Sequence, residues 1–291
     1  MNIIVSQESG FCYGVKRALD IVKKTRKERN QKIQTLGPLI HNPGVVKKLN
    51  EEGIEVCESI DDLNSGIAII RTHGISPQSL KEIKNKGIEI IDATCPYVKK
   101  SQMIAKRLYE DGYEVVIVGD RNHPEIVGIQ GFLNDMGVIV KSEEEAMGLP
   151  FKNKKALIAQ TTQDENLFER IASILLKNSL ELRVFNTICD STSLRQKSAA
   201  SIAKEVDVMV VLGGKASSNT NKLYNICKKI RDETYLIENP DELPLNVLKG
   251  KKSIGISAGA STPNEDIDAL IDKINQLDDQ PAKGSFLNGR S

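Results

Sequence analysis

The sequence predicts an α/β protein built from three related units. Two observations carry this prediction. Helical and strand-like stretches alternate along the chain, and the same succession of elements recurs three times. The recurrence aligns on three cysteines, Cys12, Cys95 and Cys189. Each cysteine is followed by a helical stretch, a short apolar strand and a glycine-containing turn.

The first half of each unit has a regular order of elements. Val15, Ala18, Leu19 and Val22 follow the spacing of one helix face, which predicts a helix directly after Cys12. The same pattern follows Cys189, and a looser one follows Cys95. Strands are predicted next, at residues 33–36, 115–118 and 208–212. A glycine turn and a helix-start signal follow each strand. The turns contain His41, His123 and Ser217, which lie 29, 28 and 28 residues after their cysteines.

The second half of each unit adds further strands. Second strands are predicted at residues 54–56, 138–140 and 235–237, and third strands at residues 67–71, 156–160 and 254–257. Last strands at residues 89–92 and 182–185 precede Cys95 and Cys189. The third unit lacks a last strand, whereas the strand at residues 2–5 belongs to no earlier unit. We therefore expect residues 2–5 to complete the third sheet.

This pattern predicts three domains and one shared site. The expected domains are residues 13–94, residues 95–188, and residues 189–278 together with the N-terminal strand 1–12. Residues 279–291 are polar and lack apolar period, so we expect a flexible tail. Ligands of open α/β sheets bind beyond the C-terminal strand ends, where all three cysteines and all three polar turns are expected to lie.

Composition excludes several function classes. Lys and Arg total 40 and Asp and Glu total 39, for a net charge of +1. This balance argues against a nucleic-acid partner held by charge and against a polybasic membrane-surface protein. No apolar run is long enough to span a bilayer, and no targeting segment is visible. Five scattered cysteines are a poor disulfide framework, so a reducing, cytoplasmic location is expected.

The cysteines divide into two groups. Cys57 and Cys227 are expected to be ordinary buried residues. The three aligned cysteines lie at strand-to-helix turns, where a helix N-terminus lowers the thiol pKa. Three thiolates fit a soft metal centre. Zinc normally needs a fourth protein ligand, whereas an iron–sulfur cube held by three cysteines leaves one iron open. The intervals of 83 and 94 residues match no compact ferredoxin motif, so spacing alone leaves the type of centre undecided.

Polar residues of the turns indicate an anion site. All three histidines of the chain, His41, His73 and His123, fall in these turns. Imidazole N–H groups at helix starts are suited to phosphate oxygens. Neutral donors are added by Ser217, Ser218, Asn219 and Ser261, for which helix capping is the simpler interpretation. Glu125 either complements a helix dipole or, with a raised pKa, donates a proton within the anion site.

Eight short motifs carry a resemblance to a known family. They are GFCYGV at 10–15, GPLIHN at 37–42, RTHG at 71–74, DATCP at 92–96, NHPE at 122–125, AQTT at 159–162, SSN at 217–219 and SAGAS at 257–261. As a set, in this order, they resemble the 4-hydroxy-3-methylbut-2-enyl diphosphate (HMBPP) reductases. The resemblance covers residues 1–278 and is specific as a set, although each motif alone is weak.

The resemblance implies a fold and a reaction. The fold would be a trefoil of three pseudo-threefold-related α/β domains around a [4Fe-4S] cluster bound by Cys12, Cys95 and Cys189, with one open iron. The enzyme would reduce and dehydrate HMBPP to isopentenyl and dimethylallyl diphosphate with two electrons from a ferredoxin- or flavodoxin-type donor. A non-catalytic iron–sulfur or zinc protein that binds phosphate and senses redox state is the alternative.

The resemblance also implies residue roles. Glu125 would deliver protons, with Thr161 in the relay and His123 near the substrate alcohol. The substrate-binding residues would be His41, His73, His123, Thr161, Ser217, Ser218, Asn219 and Ser261. Thr162 and Gln160 would line the pocket.

Overall fold

The computed structural model describes residues 1–64 and 66–278, in which strands and helices alternate throughout. The predicted flexible tail, residues 279–291, lies outside the described residues. The strands are β1 (Asn2–Val5), β2 (Ile33–Leu36), β3 (Ile54–Cys57), β4 (Ile67–Ile70), β5 (Glu89–Asp92), β6 (Glu114–Val118), β7 (Val138–Val140), β8 (Lys152–Ala159), β9 (Ser179–Val184), β10 (Val208–Leu212), β11 (Thr234–Ile237) and β12 (Ser253–Ala258). The helices are α1 (Tyr13–Glu28), α2 (Pro43–Glu51), α3 (Pro77–Asn85), α4 (Pro96–Glu110), α5 (Pro124–Phe132), α6 (Glu143–Met147), α7 (Glu165–Lys177), α8 (Asp190–Glu205), α9 (Ser218–Ile230) and α10 (Asn264–Asp278).

The strands form three parallel four-stranded sheets with one common topology. Their orders are β3-β2-β4-β5, β7-β6-β8-β9 and β11-β10-β12-β1. In each sheet, the strand after the helix that follows an aligned cysteine lies second in this order. The next strand of the chain lies beside it, at the edge of the sheet. Three sheets of identical order confirm the predicted α/β class and its threefold repetition.

The first strand of the chain belongs to the sheet of the third unit. β1 pairs in parallel with β12, with Ile3 opposite Ile254 and Val5 opposite Ile256. β1 therefore takes the place that β5 and β9 take in the other two sheets, as the repeat predicts. The domain boundaries at residues 12, 94 and 188 stay a prediction, because strand pairing does not delimit domains.

The third unit illustrates how the cores are built on both faces of a sheet. Val208, Val210 and Leu212 of β10 pack in a cluster with α10. Met209 and Val211 point the other way and pack with α8 and α9. All five side chains are fully buried. Parallel strands covered by helices on both faces have such continuous apolar runs, which is why these strands were visible in the sequence.

Three elements differ from the sequence-based expectation. β8 begins at Lys152 rather than residue 156, because its polar first half pairs with β9 instead of facing a core. β9 likewise spans Ser179–Val184 rather than residues 182–185. The short helix α6 was not predicted, because three of its five residues are glutamates and the sequence shows them only as an acidic stretch after β7. The buried positions expected for Cys57 and Cys227 are confirmed.

The described helices carry no candidate for a membrane span. In residues 1–64 and 66–278, no helix combines the length and the apolar character that crossing a bilayer requires.

Candidate active site

The C-terminal ends of the strands from all three sheets surround one cavity. Its volume is about 740 Å³, counting the part that opens to solvent. The structure brings every predicted site residue to its wall: Cys12, Cys95, Cys189, His41, His73, His123, Glu125, Thr161, Ser217, Ser218, Asn219 and Ser261. Thr162 also lines it, whereas Gln160 does not. The Gln160 amide lies behind the wall and donates to Thr162 and Ser218 hydroxyls.

The three aligned cysteines occupy equivalent positions in the backbone. Each is the N-cap residue of the helix that follows it, and none uses its side chain to cap that helix. The backbone N–H of Cys12 donates to the Ala260 carbonyl at 3.0 Å, and those of Cys95 and Cys189 donate to the Thr72 and Thr161 carbonyls at 2.9 Å. The acceptors follow the third strand of each sheet. This repeated contact aims the three thiols into the cavity from three directions.

Close packing at Gly14 shows that two of these thiols are neighbours. A Cβ atom at Gly14 would lie 2.7 Å from Cys95 Sγ and 3.9 Å from Cys12 Sγ. A side chain at position 14 would therefore displace the Cys95 sulfur. Cys12, Cys95 and Cys189 are unbridged and only partly buried, so their sulfur atoms remain available as ligands.

The expected low thiol pKa is wrong for two of the three cysteines. Burial raises the pKa of Cys95, and burial raises the pKa of Cys189 to about 11. Backbone N–H groups at the starts of α4 and α8 lower both pKa values, as the helix position predicts, but the other thiolates raise them. Removal from water is the largest effect on both thiols, and it outweighs the influence of the helix N-terminus. Thiolates here need a cation for compensation.

The three histidines form a compact cluster in the wall of the same cavity. Ring centroids lie 4.7 Å apart for His41 and His73, 5.2 Å for His73 and His123, and 5.9 Å for His41 and His123. Burial lowers the pKa of all three, that of His123 to about 4. The free site therefore holds neutral imidazoles at pH 7.

His123 has an assigned tautomer because of its place in the helix. It is the N-cap residue of α5, and its Nδ1 accepts a hydrogen bond from the Glu125 backbone N–H at 3.2 Å. A neutral imidazole that accepts at Nδ1 carries its proton on Nε2. Nε2–H is thus a donor that a ligand can use. His41, aligned with His123 in the sequence, instead precedes the N-cap residue Asn42 of α2 by one position.

Glu125 is a buried carboxyl group with two hydrogen bonds from one residue. The backbone N–H of Thr161 donates to Oε1, and the Thr161 hydroxyl donates to Oε2, both at 2.7 Å. Burial raises the pKa of Glu125 to about 7, although these hydrogen bonds favour the carboxylate. The group is only 1% exposed. The predicted raised pKa follows from this removal from water, and it allows the carboxyl to gain or lose a proton near neutral pH.

Several polar atoms of the cavity wall are buried and have no hydrogen-bond partner in the described part of the chain. They are His41 Nε2, His73 Nδ1, and both Nδ2 and Oδ1 of Asn219. Leaving such atoms unpaired costs about 1–3 kcal/mol each, so their arrangement indicates a polar ligand. The capping interpretation holds for Ser217, whose Oγ accepts from Thr220 N. Ser261 Oγ donates to the His41 carbonyl at 3.2 Å and joins the first and third units.

One buried residue near the cysteines was missed in the sequence. Arg195 of α8 is 2% exposed, and its charge interacts with Cys12 and Cys189. Its signal was present, because position 195 lies on the same helix face as the buried Ala199 and Ala203. A charged residue on an apolar stripe is unusual unless a partner compensates it.

Comparison with known proteins decides the family. A profile of the LytB protein family matches residues 3–275, which is nearly the whole described chain. The chain belongs to the LytB family. Curated proteins similar in sequence to this LytB chain are named 4-hydroxy-3-methylbut-2-enyl diphosphate reductase. That of Caldanaerobacter subterraneus subsp. tengcongensis is 48% identical over 281 residues, covering 95% of this chain and 98% of the relative. That of Geobacter metallireducens is 41% identical, covering 96% and 98%.

Solved structures with the same fold agree with this family. A structure described as (E)-4-hydroxy-3-methyl-but-2-enyl diphosphate reductase, the terminal enzyme of the non-mevalonate pathway, is 40% identical with a TM-score of 0.68, covering 95% of this chain and all of that one. The Plasmodium falciparum reductase structure is 28% identical with a TM-score of 0.89, covering 96% and 89%. The three-unit α/β architecture of this LytB chain is thus the architecture of the reductase structures.

Proposed function

We infer that this chain is a 4-hydroxy-3-methylbut-2-enyl diphosphate reductase, an oxidoreductase of the non-mevalonate route to isoprenoids. Full-length relatives at 41–48% identity carry that name. The observation that supports it most strongly is one cavity lined both by three unbridged cysteines and by buried polar atoms that have no partner among residues 1–64 and 66–278. A redox centre matches the cysteines, and an anionic substrate matches the polar atoms.

The diphosphate is assigned to the polar side of the cavity. His123 Nε2–H is a donor in the neutral tautomer, and Asn219 Nδ2 is a buried donor without a partner. His41, His73, Ser217, Ser218 and Ser261 complete the proposed binding set, with Thr161 near the reacting end. A diphosphate bound here would satisfy donors that otherwise stay buried and unpaired. Anchoring the anion fixes the reach of the substrate chain into the cavity.

The cysteine side is assigned to an iron–sulfur centre with ligands Cys12, Cys95 and Cys189. Its residues fit such a group: three unbridged thiols face one cavity, two of them within 4 Å of one point beside Gly14. The absence of a side chain at Gly14 keeps that point open. We propose a [4Fe-4S] cluster with three cysteine ligands. When bound, the cluster supplies electrons and an open iron that acts as a Lewis acid on the substrate alcohol.

Proton delivery is assigned to Glu125. With a pKa of about 7 the carboxyl is partly protonated at neutral pH, so it can donate to the hydroxyl group that leaves. The Thr161 hydroxyl contacts Glu125 Oε2 and also lines the cavity, which supports a relay through Thr161. His123, held by the same helix start, positions its Nε2–H near the same region.

The finer properties of the reaction follow from the same assignment. Reductive removal of the hydroxyl with two electrons and two protons releases water and gives isopentenyl and dimethylallyl diphosphate. A small ferredoxin- or flavodoxin-type protein is proposed as electron donor. Three free thiols and a redox centre are suited to a reducing compartment, so we place the protein in the cytoplasm.

Anaerobic turnover separates this function from the alternative of a non-catalytic redox-sensing phosphate-binding protein. The protein is reconstituted with iron and sulfide without oxygen, and HMBPP is added with a reduced viologen dye. We expect dye oxidation coupled to formation of both diphosphate products. A fully loaded protein that binds HMBPP without oxidising the dye would support the alternative.

A further inference from the structure

Helix α8 carries a buried arginine that the proposed reaction does not use. Arg195 lies six residues after Cys189 and is only 2% exposed. An arginine is almost never this deeply buried unless it is paired, and it stays charged at every relevant pH. Its surroundings should therefore contain a matching negative group.

The hydrogen bonds and ion pairs of Arg195 do not supply this negative group. Its Nη1 donates to the Ala258 carbonyl at 2.8 Å, at the end of β12. Within residues 1–64 and 66–278, its buried Nε has no hydrogen-bond partner and no carboxylate forms an ion pair with it, although the charge of Glu8 acts on it. A neutral carbonyl does not balance a buried guanidinium.

The remaining negative groups near Arg195 are sulfur ligands. Burial lowers the pKa of Arg195, while negative charges on Cys12, Glu8 and Cys189 act in the opposite direction and favour the guanidinium. Cys12 and Cys189 are two of the three thiols of the proposed centre and precede two different helices. The hydrogen bonds give the same placement: Arg195 lies on the helix that begins after Cys189, and the Ala258 carbonyl that it binds lies two residues before Ala260, whose carbonyl accepts from the Cys12 backbone N–H.

We propose that Arg195 is a positioning residue that holds a fixed positive charge beside the three-cysteine centre and raises its reduction potential. The inference rests on the proposed function. Each electron that enters the centre adds one negative charge. A buried cation at fixed distance stabilises the reduced state more than the oxidised state, because little water is present to screen it. A weaker reductant then suffices to load the site with electrons.

The test compares two neutralising substitutions on the same helix. Arg195→Gln removes the buried charge and keeps a side-chain donor. Lys197→Gln removes a charge two residues away, on a side chain that is 69% exposed and paired with Glu165. The midpoint potential of each reconstituted protein is measured by redox titration followed by electron paramagnetic resonance. Arg195→Gln should change the oxidised-to-reduced ratio at least tenfold, a downward shift of about 59 mV for one electron. Lys197→Gln should match the wild type.

A third variant separates charge from packing. Arg195→Lys keeps the charge without the planar fork, so it should recover most of the shift. Iron content and melting temperature are measured on all variants. Loss of iron in Arg195→Gln with retention in Arg195→Lys would also support the proposal, because it ties assembly to the charge.

Three results would overturn the proposal. They are a loaded Arg195→Gln protein with the wild-type midpoint, an Arg195→Lys protein as low as Arg195→Gln, and equal iron loss in both. Each assigns Arg195 a purely structural role. A wild-type protein that loads no iron–sulfur centre at all contradicts the proposed function instead, so the two failures are distinguishable.

Discussion

At the scale of single residues, burial decides the chemistry of the cavity. It raises the pKa of Glu125 and of two thiols and lowers the pKa of three imidazoles. Every one of these shifts moves its group toward the neutral form. A site in which most titratable groups are neutral can bind an anion and a cationic centre side by side, because little charge must first be displaced.

Glu125→Gln should abolish most turnover while leaving the metal centre intact. A glutamine can still accept from the Thr161 backbone N–H and can donate to the Thr161 hydroxyl oxygen, but it cannot donate an acidic proton. Positioned general acids contribute about 10²–10⁴-fold to rate, so we expect a loss in that range. Steady-state rates and iron content are measured together. Normal turnover in a fully loaded variant would rule out the proton role of Glu125.

The same substitution should change how stability depends on pH. The pKa of Glu125 is about 7 in the folded protein, above the usual 4.5, so the folded state binds the proton more tightly than the unfolded state. This contribution is complete below pH 4.5 and is lost as pH rises through 7. The melting temperature of Glu125→Gln minus that of wild type should therefore be larger at pH 8 than at pH 5. A melting difference that is the same at both pH values would contradict the raised pKa.

Substrate binding should take up protons through the histidines. The pKa of His123 is about 4 in the free protein, and a bound diphosphate would raise it. At any pH between the pKa of His123 in the free protein and its raised pKa in the complex, binding protonates the imidazole. The affinity for HMBPP therefore increases as pH falls. Calorimetry with HMBPP at pH 6, in two buffers of different ionisation enthalpy, measures the uptake. His123→Asn, which keeps a good N-cap, should take up fewer protons, and an unchanged uptake would exclude His123.

At the scale of elements, strand-to-helix turns place the site. Each of the three aligned cysteines occupies the N-cap position of a helix. Its backbone N–H donates a hydrogen bond to the turn that follows the third strand of a sheet. The sequence revealed these turns because the helix after each cysteine leads into a short, buried apolar strand, β2, β6 or β10. It could not reveal Arg195–Ala258 or the Gly14 contact, since both join segments that are distant in the chain. The thiol pKa values were missed for the same reason.

Serine substitutions should separate the ligand cysteines from the structural ones. Cys12→Ser, Cys95→Ser and Cys189→Ser each remove one thiol that faces the cavity, so iron content after reconstitution should fall sharply. Cys57→Ser is the matched control, because Cys57 is buried in a separate apolar cluster of the first unit. Iron and sulfide assays on the four proteins decide the point. Equal iron in Cys12→Ser and Cys57→Ser would remove Cys12 from the ligand set.

At the scale of the whole molecule, threefold repetition brings three units to one cavity. Its wall needs all three, since His41 and His73, then His123 and Glu125, then Ser217 and Asn219 come from different sheets. Repetition was predictable from cysteine spacing, and with it the fold class and the position of β1. The way the units pack on one another was not, because those contacts have no period in the sequence.

Gly214→Ala tests one contact between the first and third units. A Cβ atom at position 214 would lie 2.4 Å from the His41 carbonyl oxygen, a backbone atom that cannot simply rotate away. Overpacking of this kind costs about 1–3 kcal/mol, and it should displace His41 and raise KM for HMBPP more than it lowers kcat. Gly148→Ala, which meets only ordinary contacts, is the control. An unchanged KM and melting temperature would show that neither substrate binding nor stability depends on the close contact between Gly214 and the His41 carbonyl.

Anaerobic turnover of HMBPP by the reconstituted wild-type chain is the most direct test of the assigned function. We expect a protein loaded with about four irons, as three cysteine ligands on a cube require, that oxidises two equivalents of one-electron dye for each substrate and releases both diphosphate products. A protein loaded with zinc instead of iron, or loaded with iron but inert toward HMBPP, would contradict it.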